Sequence, residues 1–328
     1  MQAAFYERTG PASEVLTVGS LPDPEPGPGE VRVRLRWSGV NPSDAKSRAG
    51  LRSKVLPFPK IIPHSDGMGV IDAVGQDVPQ QRVGERVWVW NAAWGRAFGT
   101  AAQYVVLPQA QAVVLPEGVS DEAGACLGIP ALTALHAVLA HGGVKEKSVL
   151  VAGGAGAVGH YAIQFARLLG ARQVITTVSN AAKAELAMAA GAQLAIDYRQ
   201  GDTADRVRAA TQGQGVDRII EVDIAANGLL DADIVRPGGD WVVYGSGQGQ
   251  FALPFFPLIA KNQSLHFFIV YNLAPQDRQR AQSTLAELLA RGVLTHNIAQ
   301  RMPLAQAAHA HELVEQGKVA GNVVLEIP

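Results

Sequence analysis

Two kinds of hydrophobic spacing divide the chain. From Val31 to Trp37, residues Val31, Val33, Leu35 and Trp37 face one way and Arg32, Arg34 and Arg36 the other. A period of two marks a half-buried strand. A Pro/Gly cluster, Pro22 to Gly29, precedes it as an irregular connection,. Similar short runs follow at Gly69–Val74, Arg86–Trp90 and Tyr104–Leu107,. Their irregular spacing predicts a partly open barrel or a small sandwich. Near Pro116 the pattern changes, and Pro130–His141 reads as a helix with its proline in the first turn,. From Ser148 the two periods alternate. Strands are predicted at 148–152, 173–178, 194–197, 217–222 and 240–244, and helices at 157–169, 181–190, 202–211 and 227–235. That rhythm predicts an α/β fold with a doubly wound parallel sheet and right-handed crossovers. Ser264–Tyr271 reads as an edge strand, Gln276–Arg291 and Leu304–Gln316 as helices, and Val323–Ile327 as a last strand.

This layout makes residues 118–261 an insertion, with 1–117 and 262–328 forming one discontinuous β-rich domain. The expected reaction site is the cleft between the two domains. A chain of 328 residues, 48% hydrophobic and 17% charged, can bury two cores,. A net charge of −1 supplies no basic field, so nucleic acid is an unlikely partner,. Cys126 is the only cysteine, and no signal peptide or spanning run of about 20 apolar residues is evident,. The expected compartment is the cytoplasm.

Residues Gly154 to Gly159 read Gly-Ala-Gly-Ala-Val-Gly, between the first strand of the alternating region and its helix. In that context the glycines are a dinucleotide fingerprint of a Rossmann sheet. Gly154 permits the tight turn, and Gly156 lets the backbone approach a pyrophosphate. Gly159 lets the helix pack against the sheet. Gly154, Ala155, Gly156, Ala157 and Val158 are therefore cofactor candidates. The strand Gln173–Val178 ends without the acid that would hold a ribose 2′-hydroxyl,. Ser179 and Lys183 stand there instead, with Tyr198 and Arg199 after the next strand. That composition favours a 2′-phosphate, so NADPH is expected over NADH.

Other candidates lie at strand ends. In Gly39-Val40-Asn41-Pro42-Ser43-Asp44, Pro42 holds Asn41 extended,. Its amide can serve a developing oxyanion or a nicotinamide carboxamide, or it can simply satisfy the turn together with Asp44. Asp44 is expected to be ionised and structural, which leaves water as the proton source. The turn Tyr244-Gly245-Ser246-Gly247 ends a parallel strand and borders the expected nicotinamide half,. Glu221 and Asn227 flank the preceding strand end. His64 and Asp66 invite a metal reading, but Cys126 lies elsewhere and catalytic zinc needs three convergent ligands,. His136, His160, His309 and His311 fall in helical patterns as surface or packing residues.

Four segments carry a family resemblance: Gly39–Asp44, Ser65–Gly75, Gly128–Ala134 and Gly153–Gly159. Through them the chain resembles the zinc-free quinone oxidoreductases, the zeta-crystallin-like branch of the medium-chain dehydrogenase/reductases. The resemblance implies a Rossmann domain beside a GroES-like catalytic domain. It also implies NADPH-dependent hydride transfer to a quinone or similar electron-poor conjugated carbonyl, without metal. Asn41 and Thr133 would line the nicotinamide end, Ser179, Lys183 and Tyr198 would hold the 2′-phosphate, and Asn227, Gly245 and Ser246 would contact the cofactor. Such relatives pair the strand matching Leu265–Val270 across a homodimer. Lys46 stands where the family often has Tyr, and His64 where it has Gly. The Asn91–Thr100 stretch, with Trp94, Arg96 and Phe98, is more decorated. Lys46, His64 and Trp94 are thus the substrate-cleft candidates. Alternatives are an enone or enoyl (alkene) reductase using NADPH, and a non-catalytic NADPH-binding protein.

Overall fold

The computed structural model describes all 328 residues. It divides into two compact units, residues 1–130 with 286–328, and residues 131–285. The sequence-based boundaries at 117 and 262 differ from these. Helical segments that follow 117 pack with the β-rich unit, and the predicted edge strand after 262 packs with the parallel sheet.

In chain order the first unit holds β1 (Gln2–Phe5), α1 (Ala12–Val15), β2 (Thr17–Ser20), β3 (Glu30–Val40), α2 (Pro42–Arg48) and β4 (Asp66–Val74). It continues through β5 (Arg86–Val89), β6 (Tyr104–Pro108), β7 (Ala112–Val114) and α3 (Asp121–Gly124). The second unit holds α4 (Leu132–Leu139), β8 (Ser148–Val151), α5 (Ala157–Leu168), β9 (Gln173–Val178), α6 (Ala181–Ala189), β10 (Leu194–Asp197) and α7 (Thr203–Ala210). After these come β11 (Val216–Glu221), α8 (Ile224–Ile234), β12 (Val235–Val243), α9 (Phe255–Ala260), β13 (Ser264–Phe267) and α10 (Pro275–Ala290). The chain then returns to the first unit with β14 (Ile298–Pro303), α11 (Ala307–Glu315) and β15 (Asn322–Glu326).

The first unit is built on a seven-stranded sheet, ordered β14-β15-β3-β4-β5-β7 with β6 also paired to β3. Strand β3 is its spine. Val31, Val33 and Leu35 are buried as the alternation predicts, while Trp37 is only half-buried. The register with β4 shifts between Leu35 and Trp37, and beyond the shift Ser38, Gly39 and Val40 are all buried. A bulge of this kind re-aims the strand. It drives the end that carries Asn41 into the core, where a Cβ on Gly39 would lie 2.2 Å from the Ala125 carbonyl oxygen.

The second unit is the doubly wound sheet, six parallel strands in the order β10-β9-β8-β11-β12-β13. Strand order reverses between β8 and β11, so the carboxyl ends there form the topological switch point where such sheets bind ligands. Buried Ile175, Ile219, Ile234 and Trp241 pack its core. Strand β12 begins earlier than its apolar run, and the register with β11 jumps between Val216 and Arg218. Pro237 is tolerated because the residues between the paired positions bulge out of the ladder,. The edge strand is shorter than predicted: β13 stops at Phe267, and Val270–Asn272 form a 3₁₀ turn in which Val270 and Tyr271 are buried. No helix is long and apolar enough to cross a membrane.

Candidate functional site

Strand β8 leads into the glycine turn, whose glycines divide the work by sterics. Gly153 has φ +69°, a conformation that L side chains rarely adopt,. A Cβ on Gly154 would lie 2.1 Å from Thr176 Oγ1, and one on Gly159 would lie 2.3 Å from the Gly153 carbonyl oxygen. At Gly156 the only neighbour a Cβ would meet is Gly153 O, at 3.2 Å, so this side of the turn is open. Gly156 caps α5 without any side-chain hydrogen bond. The first N–H groups of a three-turn helix, including those of Ala157 and Val158, are thereby left for an anion. The Thr177 hydroxyl accepts the Gly153 N–H at 3.2 Å, and Thr176 Oγ1 donates to the Val151 carbonyl at 2.7 Å. The sequence reading missed both threonines, since nothing in their spacing separates them from ordinary strand residues.

At the tip of β9, Ser179 is buried and Asn180 caps α6 by accepting the Lys183 N–H at 2.9 Å. Lys183 is half-buried on the first turn of α6. Tyr198 is 51% exposed in the 3₁₀ turn after β10. No carboxylate ends β9. Asp197 ends β10, where its Oδ1 accepts the Arg199 N–H at 3.1 Å.

The β11 and β12 ends are tied together. Asn227 Nδ2 donates to Glu221 Oε1 at 2.9 Å. This fixes the amide orientation, because a carboxylate can only accept. One N–H of Asn227 is therefore engaged, and its carbonyl oxygen is available as an acceptor. Ile224 N–H donates to Gly245 O at 3.3 Å, and Gly247 N–H to Asp223 Oδ1 at 2.7 Å. A Cβ on Gly245 would lie 2.1 Å from the Val222 carbonyl oxygen. Ser246 Oγ donates to Gln248 O at 2.7 Å. Tyr244 is buried, and burial followed by the charge of Glu221 pushes its phenol well up. Thr133, on α4, is also buried.

In the first unit Asn41 takes φ −116° and ψ 157°, the extended conformation that Pro42 imposes,. It is 4% exposed. Its backbone N–H donates to Asp44 Oδ2 and its Nδ2 to Asp66 Oδ2, both at 2.8 Å. Burial pushes the Asp44 carboxyl up to about 7, and pushes Asp66 well above the usual carboxylate range. The expectation that Asp44 is ionised therefore needs correction: at neutral pH Asp44 is about half protonated, and burial holds Asp66 toward its neutral form. Their desolvation comes from the tertiary packing and cannot be read from composition.

His64 departs furthest from its expected role. It is fully buried and so lines no open surface. Its φ of +78° explains why a glycine would suit the position,. A chain of hydrogen bonds offsets that strain. Thr100 Oγ1 donates to the Asp66 carbonyl, so Ser38 Oγ must donate to Thr100, at 2.8 Å. Ser38 Oγ then accepts from His64 Nδ1, also at 2.8 Å, which leaves His64 Nε2 bare to accept the His311 Nε2–H at 2.9 Å. Each hydroxyl carries one proton, so the chain fixes both tautomers. Burial lowers His64 well below the ordinary imidazole value and His311 to about 3. The helical pattern assigns His311 a surface or packing position, and its link to His64 spans too much sequence to be legible.

Lys46 is half-buried on α2, and Trp94 is 41% exposed in the loop after β5. Arg96 organises that loop, donating to Ala92 O at 2.9 Å, Asn91 O at 2.7 Å and Gln111 Oε1 at 2.6 Å. No three His, Cys, Asp or Glu side chains converge as a metal site.

Comparison with known proteins agrees with this arrangement. Residues 27–117 match the alcohol dehydrogenase GroES-like domain, and residues 157–290 the zinc-binding dehydrogenase domain. The chain is 30% identical over 291 residues to the quinone oxidoreductase of Homo sapiens, covering 88% of this chain and 86% of that protein. It is 32% identical over 294 residues to the Pseudomonas aeruginosa quinone oxidoreductase, covering 88% of each. Among solved structures, an NAD-dependent alcohol dehydrogenase superposes with a TM-score of 0.92 at 32% identity over the full length of both chains. Escherichia coli quinone oxidoreductase complexed with NADPH gives 0.87 at 25% identity, over 99% of this chain and 100% of that one. A doubly wound nucleotide sheet joined to a GroES-like unit, and relatives matched along most of the length, place this chain in the zeta-crystallin-like quinone oxidoreductase branch of the medium-chain dehydrogenase/reductase family.

Proposed function

We propose that the protein transfers a hydride from NADPH to a quinone or a similar electron-poor conjugated carbonyl, without a metal. The observation that carries this reading is the nucleotide turn: an uncapped α5 N-terminus beside a β9 tip with Ser179 and Lys183 and no acid. The family's quinone oxidoreductases support the acceptor class, and the NADPH complex of the Escherichia coli relative supports the nucleotide. The lack of three convergent metal-ligand side chains supports the metal-free part.

NADPH, when bound, supplies the hydride. The α5 N–H groups hold its pyrophosphate, and Ser179, Lys183 and Tyr198 take the 2′-phosphate. Asn227 presents its amide oxygen, while Gly245, Ser246 and Gly247 carry the backbone past the cofactor. Thr133 serves the nicotinamide end. The remaining N–H of Asn41 stabilises negative charge developing on the acceptor oxygen. A protonated Asp66 suits this role, because an anion in direct contact with Asn41 would oppose that charge. Water supplies the proton. The protein otherwise contributes proximity and orientation. The buried free thiol of Cys126 fits a reducing, cytoplasmic setting.

A homodimer through the β13 edge belongs to the same reading. The strand has no partner on its outer side, and Phe267, Phe255, Phe256 and Ile259 are all more than half exposed around it. An apolar, unpaired edge calls for a cover.

The test follows oxidation of NADPH and of NADH against a para-quinone, conjugated ketones and conjugated aldehydes. Faster turnover of the quinone with NADPH is the expected result. Preference for the enones would move the function to alkene reduction. Equal use of NADH, the nucleotide of the NAD-dependent structural relative, would overturn the 2′-phosphate assignment. Tight nucleotide binding with no oxidation in any pairing would favour a non-catalytic binder.

A further inference from the structure

Beneath the loop that follows β11 lie two carboxyl groups to which the reaction assigns no role. Glu221 ends β11 and is 0% exposed, and Asp231 on α8 is 1% exposed. Glu221 Oε1 accepts two donors, the Asp223 N–H and Asn227 Nδ2. Glu221 Oε2 and Asp231 Oδ2 are buried with no hydrogen-bond partner. Asp231 lies one helical turn after Asn227, whose amide reaches Glu221, so its carboxyl stands on the face of α8 turned to Glu221 and the two groups act on each other,. Two neighbouring carboxylates have no hydrogen to place between their unpartnered oxygens, and a shared proton supplies one. Two buried anions side by side would also repel strongly.

We propose that Glu221 and Asp231 share one proton, carried by Asp231, and that this shared proton positions Asp223 and Asn227 for the nucleotide. The role of nucleotide rests on the NADPH reading above; the proton itself does not. Asp231 is the protonated partner because Glu221 already accepts two N–H donors, which favour its anion. Burial raises both groups, with the Glu221 charge adding to the rise at Asp231.

The surroundings supply no cation to replace the proton. Asp223 on the loop and Tyr244 at the β12 end interact with Glu221, and neither is positive. On the elements packed against α8, Arg208 of α7 pairs with Asp233. Lys261, after α9, donates to the carbonyls of Ala232, Asp233 and Val235. The consequence reaches the site through the hydrogen bonds already described. Glu221 holds the start of the loop and the Asn227 amide, and Asp223 holds Gly247. Loss of the proton places a second negative charge under both turns and loosens them.

Two readouts test this. The apo protein is compared with Asp231→Asn by infrared difference spectroscopy for a protonated-carboxyl C=O stretch. The Kd for NADPH is then measured from pH 6 to pH 10 for the parent, Asp231→Asn and Asp231→Ala. An Asn amide donates permanently to Glu221 and cannot be titrated. The parent-minus-variant spectrum should keep one protonated-carboxyl band, that of Asp231, once the contributions of Asp44 and Asp66 shared by both proteins cancel. The parent Kd should weaken about tenfold or more as pH rises, Asp231→Asn should stay flat, and Asp231→Ala should bind weakly throughout. Absence of that difference band, or parallel pH profiles in parent and Asp231→Asn, would overturn the shared proton. No NADPH binding by the parent at any pH would instead overturn the nucleotide reading, and with it the positioning role. A persisting difference band would then still support the proton.

Discussion

Asn41 shows how one side chain can be both turn and tool. Its backbone and one amide N–H are engaged by Asp44 and Asp66, which is the turn-satisfying role that composition alone favours. The same bonds lock the amide, and a locked donor costs no reorganisation as charge develops. Asn41→Ala should therefore lower kcat/KM for the quinone about 10²-fold while the Kd for NADPH changes far less. Stopped-flow hydride transfer measured beside nucleotide titration checks this, and an unchanged kcat/KM would remove Asn41 from the chemistry. The nucleotide glycines were legible because their rules are local and steric: an added carbon at Gly159 meets the backbone of the same turn, and one at Gly154 meets Ile163 of the following helix as well as Thr176 of the neighbouring strand. The upward shift of Asp44 and Asp66 was not legible. Desolvation depends on what the rest of the chain packs around a carboxyl.

Elements joined across long sequence separations set the behaviour of the His64–His311 pair, since α11 brings His311 against the loop before β4. Both imidazoles are held neutral by burial. A histidine depressed in the folded state contributes stability above its unfolded pKa, about 6.5, that is lost as pH falls below it. Each histidine should cost about 1.4 kcal/mol per pH unit over that range. Asp44 and Asp66 act in the opposite sense: as raised acids they lose stability as pH rises through their folded values. The net slope is thus a balance, and a comparison isolates the histidine. In urea unfolding between pH 6 and pH 4.5, the slope difference between parent and His64→Gly should be about 1.4 kcal/mol per pH unit. Equal slopes would mean that His64 titrates freely. Glycine also relieves the φ of +78°, so the variant remains a fair host for the measurement. Arg218 makes a related point. Within β11 it is fully buried, yet it pairs with Asp240 at 2.6 and 2.7 Å and donates to Ala140 O at 2.8 Å and His141 O at 3.0 Å. The apolar period located the strand, and nothing in it announced a buried cation that caps α4.

At the scale of the whole molecule, the proposed dimer rests on the exposed edge of the six-stranded sheet. Phe267→Glu places a charge on the β13 edge and should convert a dimer to a monomer by sedimentation velocity at micromolar concentration, with the fold intact by circular dichroism. A monomeric parent, or a dimeric variant, would move the interface elsewhere. The alternation of strand and helix periods, read from Ser148 onward, determined the parallel sheet and the position of its nucleotide turn, because side-chain period and glycine sterics act over a few residues. The acid-free β9 tip was visible for the same reason. Tertiary structure alone decided where the two units divide, that β13 ends at Phe267, and that His64 is buried against His311. It alone brought Asp231 toward Glu221 and raised the carboxyl groups around Asn41 by burying them. Those outcomes depend on burial and on partners from distant segments, and neither quantity exists until the chain has folded.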